Sequence, residues 1–336
     1  MFFNLVVCSQ TVNNALYLDQ SKESYVQVEN VSQMNVTNNF TLEAWIKPQR
    51  TENWAMIIQE GDCTPSVRSS YHLSMQPDSF IYFTFTCGGN CDYYNTYICT
   101  TKVLPGLCTH ISVTYSPSGV RIFYNGIKQP GYYSHGSYCG SIYASQGEFR
   151  IAAYRYFDQH MGAFFDGMID DVRLWNRVLS DQEIFDYNDL ELSGTEAGLV
   201  FYMDFNTSFQ GNGQVIQNMA SITGSAADGT TYSNSINNPH SSGSCFQYAG
   251  IGDLCTNKLN FKVYPNPAKN GLNIENADDN CAYDIVIKDV MGRIIFKEDN
   301  VESHYFLNTD ELNSGIYMYS IYCKEKGFVS GLFEVN

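Results

Sequence analysis

The chain has 336 residues, enough for one large domain and a small one, and its 25 Tyr and 21 Phe within a 44% hydrophobic composition favour pleated sheets over helices. A net charge of −16, with no cluster of Lys or Arg, excludes nucleic acid and anionic membranes as partners, since both need concentrated positive charge. Eleven cysteines point to an oxidising compartment, and no apolar stretch reaches the length of a transmembrane helix.

Residues 1–10 read as the remnant of an export signal, with a short apolar run but no Lys or Arg before Lys22. Setting Cys8 aside leaves an even number of cysteines for pairing. Short strands with turn signals follow: Ala15 to Asp19, Tyr25 to Val28, and Phe40 to Pro48, where Phe40, Leu42, Ala44 and Ile46 alternate as on a half-buried sheet. Asn125-Gly126 between two apolar runs predicts a type I′ hairpin, because both residues tolerate positive φ. From Phe165 to Trp175 a further strand is expected to place Met168, Asp170, Val172 and Leu174 on one face. Ser180 and Glu183 form a capping box, with Leu179 and Ile184 as hydrophobic staple, so a short helix starts there and ends near Tyr187. Gly198 to Phe205 reads as an accessory strand on the same body, the alternative being the start of a degenerate second copy. Residues 206–257 are rich in Gly, Ser, Asn and Thr and read as loop followed by linker, with 233–257 as the linker proper and Cys245 and Cys255 closing a small loop.

After that stretch, Tyr264-Pro265-Asn266-Pro267 sets an extended turn that neither helix nor central strand can hold. Apolar strands then run over Tyr283–Val290, Arg293–Lys297 and Gly315–Tyr322, a short antiparallel sandwich of immunoglobulin-like type. Cys281 and Cys323 stand at the ends of two of these strands and are expected to pair. The Tyr264–Pro267 turn, Gly271-Leu272-Asn273-Ile274, Asp289 to Arg293 and Leu312 to Tyr317 together resemble the type A C-terminal sorting domain of bacterial type IX secretion cargo, over 258–336. That resemblance implies contact with outer-membrane secretion machinery, and a product that is secreted or held on the cell surface of a Gram-negative bacterium. The last residues, Leu332 to Asn336, depart from the pattern in lacking a closing basic residue.

In the larger unit, Ala15 to Asp19 with Tyr25-Val26, Phe40 to Ile46, Phe123 to Gly126 and Asp166 to Leu179 resemble the concanavalin A-like, laminin-G-like jelly roll, over 15–232. The fold class is therefore all-β: two stacked antiparallel sheets followed by a small sandwich. The family implies ligand sites on rim loops or the concave sheet, and often a rim calcium held by Asp side chains and carbonyls. Asp62 and Asp170 are the candidate Ca2+ ligands, the alternative for each being an Arg or backbone partner.

The chemistry expected of this unit is binding to a glycan or an extracellular protein. Exported carbohydrate binders stack sugar rings on aromatics and bond hydroxyls through Asn and Asp, and Trp54, Asp92, Tyr93, Tyr94, Asn95 and Tyr97 carry that mixture. The competing reading is that Tyr is simply this chain's surface strand residue. A glycosidase needs two carboxylates about 5–9.5 Å apart across one cleft. The acidic pairs at i, i+2 are few: Glu60/Asp62, Asp181/Glu183 and Asp189/Glu191. The Glu-x-Asp-x-x-Glu strand motif of concanavalin-type glycosidases is absent, as is a Gly-x-Ser-x-Gly elbow. The six His are dispersed, and Cys87 to Cys91 lacks the second pair that zinc would need, so disulfides are the better use of these thiols. The expectation is a non-catalytic protein, with a glycan-cleaving enzyme or a protein-binding adhesin as alternatives. Six cysteines from 63 to 139 leave the connectivity open.

Overall fold

The computed structural model describes residues 14–29, 31–50, 52–62, 69–89, 93–145, 147–156, 158–188, 190–243, 261–276, 282–289, 294–302, 304–323 and 327–336. They fall into two compact units, Thr11–Tyr248 and Ala249–Asn336.

In the larger unit two antiparallel sheets share one core. The eight-stranded sheet runs Ile127–Gln129, Gly119–Tyr124, Thr109–Ser116, Phe40–Pro48, Gly167–Trp175, Asn14–Leu18, His240–Gly243, with Leu199–Met203 also paired to Gly167–Trp175. The nine-stranded sheet runs Gly131–His135, Tyr94–Lys102, Phe80–Thr86, Ser69–Met75, Ala55–Gly61, Phe149–Ile151, Tyr25–Val28, Gly229–Tyr232, Val215–Ile216. Period-two alternation sends Phe40, Leu42, Ala44 and Ile46 from the first sheet, and Tyr71, Leu73, Phe83 and Phe85 from the second, into this core. Phe40 bridges the layers, stacked 5.4 Å from Tyr71. Asn125 and Gly126, at φ 49° and 77°, make the two-residue hairpin that their sequence demands.

The strand expected to align Met168, Asp170, Val172 and Leu174 does not do so. A β-bulge sets Asp171 at φ 47° and breaks the pairing with Phe40–Pro48 between Asp170 and Arg173. Ile169, Val172 and Leu174 consequently enter the core, whereas Asp170 shares the outer face with its cross-strand partner Trp45. The Gly198–Phe205 segment is the accessory strand expected, Leu199–Met203, added beside Gly167–Trp175. The loop-and-linker reading of 206–257 needs correction: His240–Gly243 pairs with Asn14–Leu18, because an edge strand can draw on backbone hydrogen bonds without apolar side chains.

The outer face of the eight-stranded sheet is covered by the helix Asp181–Tyr187, whose capping box through Ser180 and Glu183 is formed. Trp175, Leu179, Ile184, Leu192 and Tyr202 pack there around a buried ion network. Arg173, fully enclosed, donates to the carbonyls of Tyr187 and Leu190, both at 2.7 Å. Its guanidinium lies 3.3 Å from Asp171 and 3.9 Å from Glu43. Glu43 in turn accepts from Trp175 Nε1 at 2.8 Å and Ser112 Oγ at 3.0 Å. Burial raises the Glu43 pKa, and Arg173 opposes that shift. Arg173 thus ties the helix and the segment after it to the sheet.

Cys87 and Cys139 form a disulfide, and Cys108 is also disulfide-bonded. Cys99 is free and buried in the core, where desolvation raises its thiol pKa, so the cysteines from 63 to 139 do not all pair. Cys245, Cys255 and Cys281 lie outside the described residues, as does the side chain of Cys323.

The smaller unit has a three-stranded sheet, Phe261–Tyr264, Gly271–Asn276, His304–Asn308, and a four-stranded one, Ile294–Val301, Tyr283–Asp289, Gly315–Cys323, Gly327–Val335. Leu272, Ile274 and Leu307 from the first meet Tyr283, Ile285, Ile287, Ile321 and Phe333 from the second in its core. This is the small β-sandwich that its alternating strands predict. No helix among the described residues is long and apolar enough to cross a membrane.

Candidate functional site

A groove of about 520 Å³ opens on the outer face of the nine-stranded sheet, within the roughly 300–1,000 Å³ usual for ligand sites. Its floor follows from strand alternation. With Tyr71, Leu73, Phe83 and Phe85 turned inward, His72 and Thr84 must face out. The register then aligns His72 with Thr84, Thr84 with Thr96, and Thr96 with His135, one row across four strands. At about 4.8 Å per strand step the row spans roughly 14 Å, longer than a single sugar ring. The Thr84 and Thr96 hydroxyls are 3.0 Å apart.

Aromatic rings stand at both ends. At one, three rings cluster: Trp54 is tilted against Tyr154 at 5.4 Å and against His72 at 6.3 Å, and His72 meets Tyr154 edge-on at 5.4 Å. At the other, Tyr94 lies 4.9 Å from His135. Tyr82 lines the groove and donates its hydroxyl to Asp78 at 2.6 Å. Trp54 Nε1 is closed off from solvent and has no hydrogen-bond partner among the described residues.

Tyr154 is held by its neighbour. The Arg155 backbone N–H donates to Gln59 Oε1 at 2.8 Å, and its guanidinium lies 3.4 Å from Asp62 and 3.3 Å from Glu148. The fully buried Arg150 pairs with the same two carboxylates. Two cations and two anions thereby lock the chain that carries Tyr154 onto the sheet, and a buried cluster of this kind holds position more than it adds stability.

Of the residues expected to bind ligand, Trp54 and Tyr94 come together in the groove. Tyr93 is 76% exposed beside it without lining it. Asn95 and Tyr97 face the other side of their strand. Asn95 Oδ1 accepts from the Ser137 N–H at 2.9 Å, and Tyr97 packs edge-on to Tyr133 at 5.1 Å against the core. Asp92 lies outside the described residues. His72, Tyr82, Thr84, His135 and Tyr154 were not anticipated. Their only local signal is the polar alternation through Ser70, His72 and Ser74, and through Tyr82, Thr84 and Thr86.

The residues expected to hold calcium do not converge. Asp62 gives both carboxylate oxygens to Arg150 and Arg155 on the outer face of the nine-stranded sheet. Asp170 lies on the outer face of the opposite sheet, with Oδ1 accepting the Asp171 N–H at 2.9 Å. Calcium needs several oxygens at one point, and among the described residues no group of three or more His, Cys, Asp or Glu can hold a metal ion. Two candidate catalytic carboxylates are also engaged elsewhere, Asp181 by Arg121 and Glu183 by Ser180 and Arg177.

Desolvation lowers the His72 pKa from 6.5 to about 4. Between pH 6.5 and about 4 the unfolded chain binds a proton that the folded chain refuses, so stability falls as pH drops through this window. Above it His72 contributes no slope. Urea midpoints of wild type and His72→Gln, measured from pH 7.5 to 4, are expected to run parallel above 6.5 and to shift in the variant's favour below; parallel curves throughout would refute the assignment.

Residues 20–185 match the family model of the concanavalin A-like lectin/glucanases superfamily, and residues 262–331 that of the secretion system C-terminal sorting domain. No curated protein matches the chain. Among solved structures, a putative carbohydrate binding protein from Bacteroides ovatus is 19% identical, with 67% of this chain and 62% of that one covered and a TM-score of 0.49. The chain therefore spans less than two thirds of that protein's length. The CBM40 of Ruminococcus gnavus IT-sialidase, bound to α2,3-sialyllactose, is 15% identical over 53% of this chain and 94% of its own, TM-score 0.40. Domains LG4-5 of the mouse laminin α1 chain are 12% identical over 48% and 41%, TM-score 0.35.

Proposed function

From a chain whose large unit belongs to the concanavalin A-like superfamily and whose small unit is a secretion system C-terminal sorting domain, we propose an exported, non-catalytic glycan-binding protein. The observation that carries this reading is the groove: aromatic faces at both ends of a row of hydroxyl and imidazole groups. Sugar rings offer apolar C–H faces to aromatic rings and hydroxyls to polar side chains, and this groove supplies both on rigid strands. A glycosidase would need two carboxylates across the cleft, whereas the described lining contains none. Delivery through type IX machinery, to the medium or the outer-membrane surface of a Gram-negative cell, is the route that the sorting domain supports.

The test is a glycan array probed with the whole chain. Retention of at least one oligosaccharide is expected, without release of new reducing ends. It should be lost in Tyr94→Ala, which strips one end of the groove, and kept in Tyr97→Ala, whose ring faces the core side. If no glycan is retained, or the two variants behave alike, the groove is not a glycan site and a protein partner becomes the better reading.

A further inference from the structure

The groove carries a second message in the groups it lacks. Its described lining, which includes Trp54, His72, Thr84, Tyr94, His135 and Tyr154, holds no Lys, Arg, Asp or Glu. Arginines do stand close by, next to Tyr154, but they are already matched: Arg150 and Arg155 face Asp62 and Glu148, two positive groups against two negative ones. An anion also lies against the lining, since Asp78 accepts the Tyr82 hydroxyl. Behind the groove, the whole chain carries −16.

A carboxylate or sulfate entering such a site leaves bulk water without meeting an unmatched cation among the described residues, and approaches against the field of the protein. An uncharged sugar meets neither cost, because hydroxyls exchange water for the Thr, His, Gln and Ser groups of the floor and rim. Specificity is a difference of affinities, and withholding a cation is a repulsive device against one ligand class. We infer that the groove selects uncharged oligosaccharides and rejects acidic ones. This inference rests on the glycan-binding reading and narrows it to a ligand class.

The test uses the whole chain against an array of matched pairs, each an uncharged oligosaccharide beside the same backbone carrying a uronate, sialate or sulfate group, followed by titration of the best pair. The acidic member is expected to bind at least about tenfold more weakly, as befits an uncompensated charge in a half-enclosed site. Adding salt should narrow that gap by screening the protein's field. Ser134→Lys, which places a cation on the exposed rim, should strengthen binding of the acidic member by about tenfold. Equal or tighter binding of the acidic member, abolished by Trp54→Ala, would overturn the selectivity while leaving the groove a glycan site. Failure of every pair to bind, or binding indifferent to Trp54→Ala, would remove the glycan reading and this inference with it.

Discussion

Replacing Arg173 with alanine is expected to destabilise the large unit by about 3–5 kcal/mol, the cost of leaving a buried ion pair half made. The guanidinium is wholly enclosed and serves two carbonyls, of Tyr187 and Leu190, together with the carboxylates of Asp171 and Glu43. Without it, Glu43 keeps only neutral donors, Trp175 Nε1 and Ser112 Oγ, in a place where burial already opposes its charge. All three tryptophans, at 45, 54 and 175, lie in the large unit, so their fluorescence follows its unfolding separately from that of the sorting unit. Urea titration should show a lower midpoint at similar slope. The triple variant Arg173→Met/Glu43→Gln/Asp171→Asn should recover much of the loss, because removing the cation together with both carboxylates leaves no buried charge of the network unpaired. A single variant as stable as the wild type would mean that the network does not anchor the helix.

Trp54→Ala should weaken oligosaccharide binding by about 2 kcal/mol or more, close to thirtyfold, as for a central aromatic anchor. Trp54 forms one end of the groove with Tyr154 and His72. Trp54→Phe, which keeps a smaller aromatic face, should lose only part of that affinity. Because Trp45 and Trp175 are buried, a fluorescence change on adding ligand should report Trp54 and vanish in Trp54→Phe. Calorimetric titration that finds the alanine variant as tight as the wild type would place the ligand elsewhere.

What the sequence makes legible here is what local chemistry decides. The Asn125-Gly126 hairpin and the Ser180/Glu183 capping box are each specified within a few residues, and both form as read. The bulge at Asp171 is different: nothing in Gly167–Trp175 announces it, and it reverses the face of everything before it. The groove is less legible still. His72 and His135 look unrelated in the chain and become neighbours in one row only through the register of four strands. Trp54 and Tyr94 could be anticipated because exposed aromatics among polar residues stand out in any strand-rich sequence. Asn95 and Tyr97 could not be told from Tyr94 without knowing which parity faces inward, and the pleat sent them the other way. His240–Gly243 escaped because a strand that relies on backbone bonding leaves no apolar trace.

The Cys87–Cys139 disulfide bears on when the site becomes usable. It joins the chain just after Phe80–Thr86, a floor strand, to the chain just after Gly131–His135, the edge strand that supplies His135, across a sequence separation of 52 residues. A link over that distance restricts the unfolded chain strongly, and it forms only where thiols can be oxidised. In a reducing cytoplasm the edge strand would be held by its pairing to Tyr94–Lys102 without this clasp. On the proposed route the sorting unit would direct the chain outward, and the disulfide would then tighten the proposed binding face.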